Sequence, residues 1–331
     1  VAIYKKYRGW ITEKEEVTVQ RNLHQQHGSS EKGILLKKHV SASNLCEKEY
    51  VQLSNDDLRI IHELQLQMAV EVRRICEKYG IRYTLCGGSL IGAVRHQGFI
   101  PWDDDMDIAM LAKDYERFLE IAPQELDQKF AIINYENSPE MVFVNTRVIC
   151  RNTVIKNNAG ARATAPHEVF IDIFPFDNMP DSKIKCFVHK AIEVIGRRIV
   201  YLKTGYPLNV SLYKRIIICL LSIFVPNERC AKKLYRWNQH RFDQNNSKSV
   251  VNLCGTYGYR KETVPRRWFS QFVPVQFEGE TFSAIAEYDA WLKQVYGDYM
   301  ALPPENQRVH SHFQPVEIDL TAFGGRKAEI E

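Results

Sequence analysis

The chain has 331 residues, 45% hydrophobic and 25% charged, a balance that excludes a disordered or fibrous chain and leaves material for a large core in one domain or two. A formal net charge of +4 and a sequence pI of about 8.5 are a mild excess unlike that of a dedicated nucleic-acid binder, so no nucleic-acid partner is expected, while a local basic patch stays open. Eight cysteines, no two closer than ten positions, exclude zinc-knuckle and C-x-x-C spacings and read as reduced, mostly buried thiols.

Residues 1–52 are polar and weakly periodic and read as an N-terminal appendage. Their start, "VAIYKKYRGWITEKEE", has no initiator Met and no long apolar run; the expectation is neither secretion signal nor anchor, and a cytoplasmic location. From Ser54 the pattern changes: Leu58, Ile61, Leu64, Met68, Val72 and Ile75 recur at helical spacing, with Ser54 as N-cap, Asp57 at N3 and Gly80 as the stop. "IRYTLC" then alternates as a strand, "GGSLIGAVRHQG" reads as a tight turn into a short helix from Ser89 to His96, and "DMDIAM" is the next strand. "DYERFLEIA" is a helix, followed by the β-like runs "FAIINY", "MVFVNTRVI" and "EVFIDIFPF". Strands and helices that mix without strict alternation predict an α+β fold, with a mixed sheet flanked by helices. On this reading residues 53–180 form the catalytic core and 181–331 an added helical and C-terminal region.

The stretch from Lys183 to His240 is helical and basic. Within it "IIICLLSIFV", Ile216 to Val225, is flanked by Lys214, Arg215, Arg229, Lys232 and Lys233. A bilayer needs about 20 apolar residues, so two readings stay open: a buried core helix, or an interfacial segment giving peripheral contact with the inner face of the cell membrane. "FVPVQFEGETFSA" predicts a hairpin turning at Glu278 and Gly279. His310 and His312 share a strand face as metal or phosphate ligands, or are surface residues.

The chemistry concentrates in "IPWDDDMDIAM". Alternation puts Asp105 and Asp107 on one face, with Met106 and Ile108 on the other. Carboxylates about 5 Å apart repel by ~3 kcal/mol at an effective dielectric near 20, so a cation belongs between them. Mg²⁺ (or Mn²⁺), which combines one or two carboxylates with substrate phosphate, is the natural one. Asp103 joins that face if the strand begins early, and Asp104 points away and serves the turn. Upstream, Gly87 and Gly88 allow close approach of a phosphate, and Ser89 opens a helix whose free N–H groups favour anions. Asp172 in "FIDIF" is too hydrophobically flanked for a casual surface residue and is the expected third carboxylate.

The expected chemistry is phosphoryl-type transfer to an alcohol, with Asp105, Asp107 and Asp172 as both catalytic and metal-binding residues. Arg95 and His96 are placed to reach a phosphate or the acceptor, or to serve as helix C-terminal charges. Trp102, with Phe99 and Tyr83, is placed to cover a quaternary ammonium, or to pack. Rival readings are a metal-dependent glycosyltransferase using a nucleotide sugar and a non-catalytic nucleotide-binding module. An EF-hand loop is excluded by Ile108, which stands where that loop needs Gly.

"GGSLIGAVRHQGFIPWDDDMDIAM", "FIDIFPFD" and "YGDYMALPPENQR" together resemble the LicD family of phosphotransferases, which includes the fukutin-related proteins, over about Leu53 to Phe313. The resemblance implies a nucleotidyltransferase-like fold. It also implies transfer of a phosphoalcohol, typically phosphocholine from CDP-choline, to a cell-surface glycan such as lipopolysaccharide or teichoic acid, or to its lipid-linked precursor, with CMP released. By motif, Gly88 and Ser89 match the phosphate-binding turn, Asp105 and Asp107 the metal pair, and Asp172 the third carboxylate. Asp177 falls in a family motif without a role that physics assigns.

Overall fold

The computed structural model describes residues 50–138, 141–142, 144–157, 167–206, 208, 210–242, 247–305, 308 and 315–330. The chain divides into two units, Val1–Cys46 and Glu47–Glu331, and the architecture below is that of the second.

Helix α1, Asn55–Tyr79, forms where its caps and periodicity agree. The Ser54 hydroxyl accepts from Asp57 N–H and the Asp57 carboxylate accepts from Ser54 N–H, a closed capping box, and Gly80 ends the helix in the left-handed conformation. One face, including Ile61, Leu64, Met68, Val72 and Ile75, is buried. Asp57 is itself buried beneath Arg326, whose guanidinium reaches its Oδ2 at 2.8 Å. This ties the start of α1 to the C-terminal end of the chain.

The main sheet has the order β1 (Thr84–Leu85), β2 (Asp107–Leu111), β6 (Val169–Asn178), β4 (Thr146–Cys150), β3 (Phe130–Ile133), and β7 (Ser249–Val251) and β8 (Thr263–Pro265) continue it from the end of β6. Every pairing in it is antiparallel except β2 with β6. The sheet is therefore mixed, as α+β patterning predicts. Helices α2 (Gly87–His96) and α3 (Ala112–Glu125) flank β2, and α1 packs over β4 and β6. A second, three-stranded sheet joins β5 (Val154–Asn157), β11 (Pro315–Asp319) and β12 (Lys327–Glu329). The predicted hairpin is β9 (Phe272–Phe277) with β10 (Glu280–Ile285), and Glu278 and Gly279 both take positive φ at its two-residue turn.

The region after β6 contributes α4 (Lys183–Thr204), α5 (Leu212–Leu221) and α6 (Glu228–His240), and α7 (Tyr288–Tyr296) follows the hairpin. The core-helix reading of Ile216–Val225 is corrected here. α5 buries only Ile218 and leaves its remaining aliphatic side chains outside the core, because α4 and α6 meet it along a single edge. The cysteines are free throughout the described residues, and Cys76, Cys86 and Cys150 are buried.

Burial pushes the Asp57 carboxyl up, but bonds from Arg326 and Ser54 outweigh it and hold it below its ordinary value. Such a group stabilises the fold above its unfolded pKa near 3.9 and loses that contribution as pH falls through the lower folded value. Asp57→Asn should therefore cost about 1 kcal/mol at pH 7. In urea titrations the difference should be constant between pH 6 and 8 and fade toward pH 2.

Candidate active site

The glycines decide how the site is built. Helix α2 starts at Gly87, two residues earlier than the sequence predicts, with Cys86 as its cap residue. Gly87 has φ +58°, and a Cβ there would collide with the Asp107 carboxylate; a Cβ at Gly88 would collide with that of Asp103. Two residues without side chains thus let two carboxylates rest against a helix N-terminus. Ser89 is turned inward: its hydroxyl is buried and accepts the Asp107 N–H at 2.8 Å. The Asp107 carbonyl in turn accepts from Cys86 N–H at 3.1 Å. Ser89 therefore fixes the start of β2, and the surface offered to a ligand is the glycine backbone.

Asp103, Asp105, Asp107 and Asp172 all line one cavity of about 550 Å³. The parallel pairing sets Asp107 directly opposite Asp172, roughly 4.8 Å away across adjacent strands. On the other side of β6, Arg147 of β4 is in register with Asp172. Its Nε donates to Asp172 Oδ1 at 3.0 Å while Asn145 Nδ2 donates to the same oxygen at 2.6 Å, and its guanidinium lies 3.6 Å from the Phe170 ring centre. The turn before β2 is held from behind by α1. His62 Nε2 bonds the Asp103 carbonyl at 2.8 Å, and Gln65 Nε2 donates to the carbonyls of Asp104 and Phe170. Asp104 does leave the cavity face, but it goes into the interior, where it is fully buried. Burial first, then the charges of Asp105, Asp172 and Asp103, push the Asp107 carboxyl well above the ordinary carboxylate range.

This donor set suits a hard cation. Among the described residues no three acidic, His or Cys side chains converge to cage a metal by themselves. Mg²⁺ is normally held by one or two carboxylates, with water and substrate phosphate completing its shell. Asp105 and Asp107, crowded by like charge beside a glycine cradle, meet that requirement.

Two expected binding residues lie elsewhere. The Arg95 guanidinium donates to the carbonyls of Tyr299 and Ala301 and to His96, so backbone acceptors hold its head. Trp102 packs under Arg308 and against the His96 ring, and neither Arg95 nor Trp102 lines the cavity. Phe99 and Tyr83 belong to the core. Asp177, an odd number of residues from Asp172 along β6, is fully buried and accepts from Gln239. His310 and His312 lie outside the described residues.

Sequence reasoning missed Glu262, Arg147 and the cavity tyrosines Tyr201, Tyr206, Tyr257 and Tyr296. Glu262 is buried, accepts from Tyr257 N–H at 3.1 Å, and is raised by burial to about 7. It lies 90 residues from Asp172 and more than 150 from Asp107 in the chain, and no spacing links them. Arg147 was open to inference: a buried third carboxylate needs a cation, and "NTRVI" carries one in a strand.

The LicD/FKTN/FKRP nucleotidyltransferase-domain family model matches residues 80–195. The lipopolysaccharide cholinephosphotransferase LicD of Haemophilus influenzae is 31% identical over 251 residues, which covers 74% of this chain and 91% of that protein. An uncharacterized protein of Rickettsia prowazekii is 30% identical over 167 residues, covering 45% of this chain and 58% of its own. Human ribitol 5-phosphate transferase FKRP is 50% identical over 40 residues, 12% of this chain and 8% of that one.

A carboxyl held above its ordinary value destabilises the fold once it ionises. Asp107→Asn should therefore raise the unfolding temperature by a few degrees in metal-free buffer at pH 8. The gain should shrink as pH falls below the raised folded value and fade toward pH 3, below the unfolded pKa near 3.9, where the side chain is mostly protonated in both states. Thermal unfolding followed by circular dichroism checks both, and an unchanged midpoint at pH 8 counts against a charge-crowded cluster.

Proposed function

The chain belongs to the LicD family, and from that premise we propose that it transfers a phosphoalcohol to a hydroxyl of a cell-surface glycan or its lipid-linked precursor. It is a LicD-like phosphotransferase. The first candidate donor is CDP-choline, with CMP as the product that leaves. The observation that carries this reading is the in-register pair Asp107 and Asp172 beside the Gly87–Gly88 helix start.

The free N–H groups of the α2 N-terminus favour anions, and because the Asp103 and Asp107 carboxylates rest against Gly87 and Gly88, the donor phosphates would meet this helix end together with a cation that offsets those carboxylates. Bound there by Asp105 and Asp107, Mg²⁺ (or Mn²⁺) would neutralise the diphosphate and the charge that gathers as CMP departs. In the transfer, the acceptor oxygen forms a bond to the phosphorus that carries the alcohol. The bond from that phosphorus to the CMP oxygen breaks, and CMP takes the electron pair. The acceptor proton needs a base. Asp172 has one oxygen already engaged by Asn145 and Arg147, which suits it to hold position beside Asp107. Glu262, in the cavity wall and raised by burial to about 7, is poised to take the proton.

Aromatic faces support choline as the alcohol. Tyr257 and Tyr296 meet edge to face at 4.9 Å, and Tyr201 and Tyr206 lie 4.9 Å apart, all in the cavity wall. Such rings attract a quaternary ammonium through their quadrupoles.

With CDP-choline, Mg²⁺ and a glycan acceptor, the purified protein should release CMP, and Asp107→Asn should lose about 100-fold or more of kcat. Glu262→Gln should remove the acid limb near pH 7 from the kcat/KM profile. Tyr296→Leu should raise KM for CDP-choline more than for CDP-ribitol. UDP released from a UDP-sugar, or no CMP from any CDP-alcohol, would overturn the assignment.

A further inference from the structure

The second unusual feature of the molecule is a surface outside the cavity. Between residues 183 and 241 the sequence carries thirteen Lys and Arg against two Glu, a formal +11, in a chain whose total is only +4. The same stretch holds most of the exposed large apolar side chains of the described residues: Ile184 is 78%, Phe187 73% and Phe224 85% exposed.

Helix α5 shows how the two properties are arranged. At about 100° per residue, Leu212, Tyr213, Ile216, Ile217, Leu220 and Leu221 fall within one half of its circumference, and all six are exposed. Ile218, the buried residue of the helix, lies on the opposite side, and Lys214 and Arg215 lie outside the apolar half. Ile223 and Phe224, in the turn that follows α5, are exposed as well. Soluble surfaces rarely leave six large apolar side chains exposed along one half of a single helix.

We propose that this face docks on the surface of a bilayer containing anionic phospholipid. An apolar half-cylinder bordered by cations is the pattern of a helix that lies in the interface with its apolar side among the acyl chains. No described helix is long and apolar enough to cross a membrane; the contact is peripheral. A second copy of the chain is a poor occupant, since a two-fold contact would set one basic region against another. A nucleic acid would leave the exposed aliphatic side chains in water. The face is also close to the cavity: α4, whose Ile199 and Val200 cluster with Ile218 of α5, supplies Tyr201 to the cavity wall, and Tyr206 lies six residues before Leu212. Docking would hold the cavity close to a membrane-borne acceptor, whichever alcohol is transferred.

Vesicle flotation tests this with the full chain and no substrate. The protein should float with phosphatidylcholine vesicles containing about a third phosphatidylglycerol, bind pure phosphatidylcholine about tenfold less, and lose binding as salt rises. Ile217→Asp with Phe224→Asp should reduce flotation about tenfold, as should Lys214→Glu with Lys233→Glu. All four side chains are exposed, and unchanged thermal unfolding would confirm intact folds. Absence of flotation with anionic vesicles, or flotation unaffected by either double variant, overturns the proposal. So does sedimentation showing a dimer that Phe224→Asp converts to monomer, which would assign the face to self-association.

Discussion

The parallel pairing of β2 with β6 brings the Asp107 and Asp172 carboxylates side by side in a largely buried cavity wall. Like charges so placed repel unless a cation, a proton or a set of donors intervenes. Much of the surrounding structure manages that repulsion. Arg147 and Asn145 compensate Asp172 from β4 and the segment before it. Ser89 and Cys86 grip the Asp107 backbone, and His62 and Gln65 of α1 hold the preceding turn from the core side. Gly87 and Gly88 bring a helix N-terminus against the carboxylates, whose partial positive charge offsets some of theirs.

Charge is segregated at two scales. Inside the cavity an acidic end formed by the aspartates faces aromatic walls from α4, α7 and the loop after β7. Across the whole chain the cations collect in residues 183–241, and the remaining residues are net acidic. A basic region can attract an anionic surface from a distance, and the exposed apolar side chains of α5 can then add short-range burial. α4 packs against Ile218 of α5 through Ile199 and Val200 and also supplies Tyr201 to the cavity wall.

Local patterns were legible wherever neighbours in sequence are neighbours in space. The capping box of Ser54 and Asp57, the Glu278–Gly279 turn and the α+β class of the sheet follow from spacings of a few residues. That Asp107 and Asp172 are strand carboxylates was also legible, whereas Asp105 precedes β2, and Asp177 of β6 shows that a carboxylate in an apolar strand can equally be buried away from the cavity. Arg95 and Trp102 misled because their residue types suit phosphate and choline equally well. Which way such side chains turn depends on distant partners, here the carbonyls of Tyr299 and Ala301 and the guanidinium of Arg308.

By itself, then, the sequence determined the elements, the family motifs and the identity of the clustered aspartates, since short-range periodicity and composition encode those directly. Only the tertiary structure decided that Ser89 steadies a strand, that Arg147 sits on Asp172, that Glu262 enters the same cavity, and that α5 lies at the surface. Each of these depends on burial and on contacts between segments far apart in the chain. A raised carboxyl or an uncovered apolar face comes from the whole fold, and no local pattern specifies it.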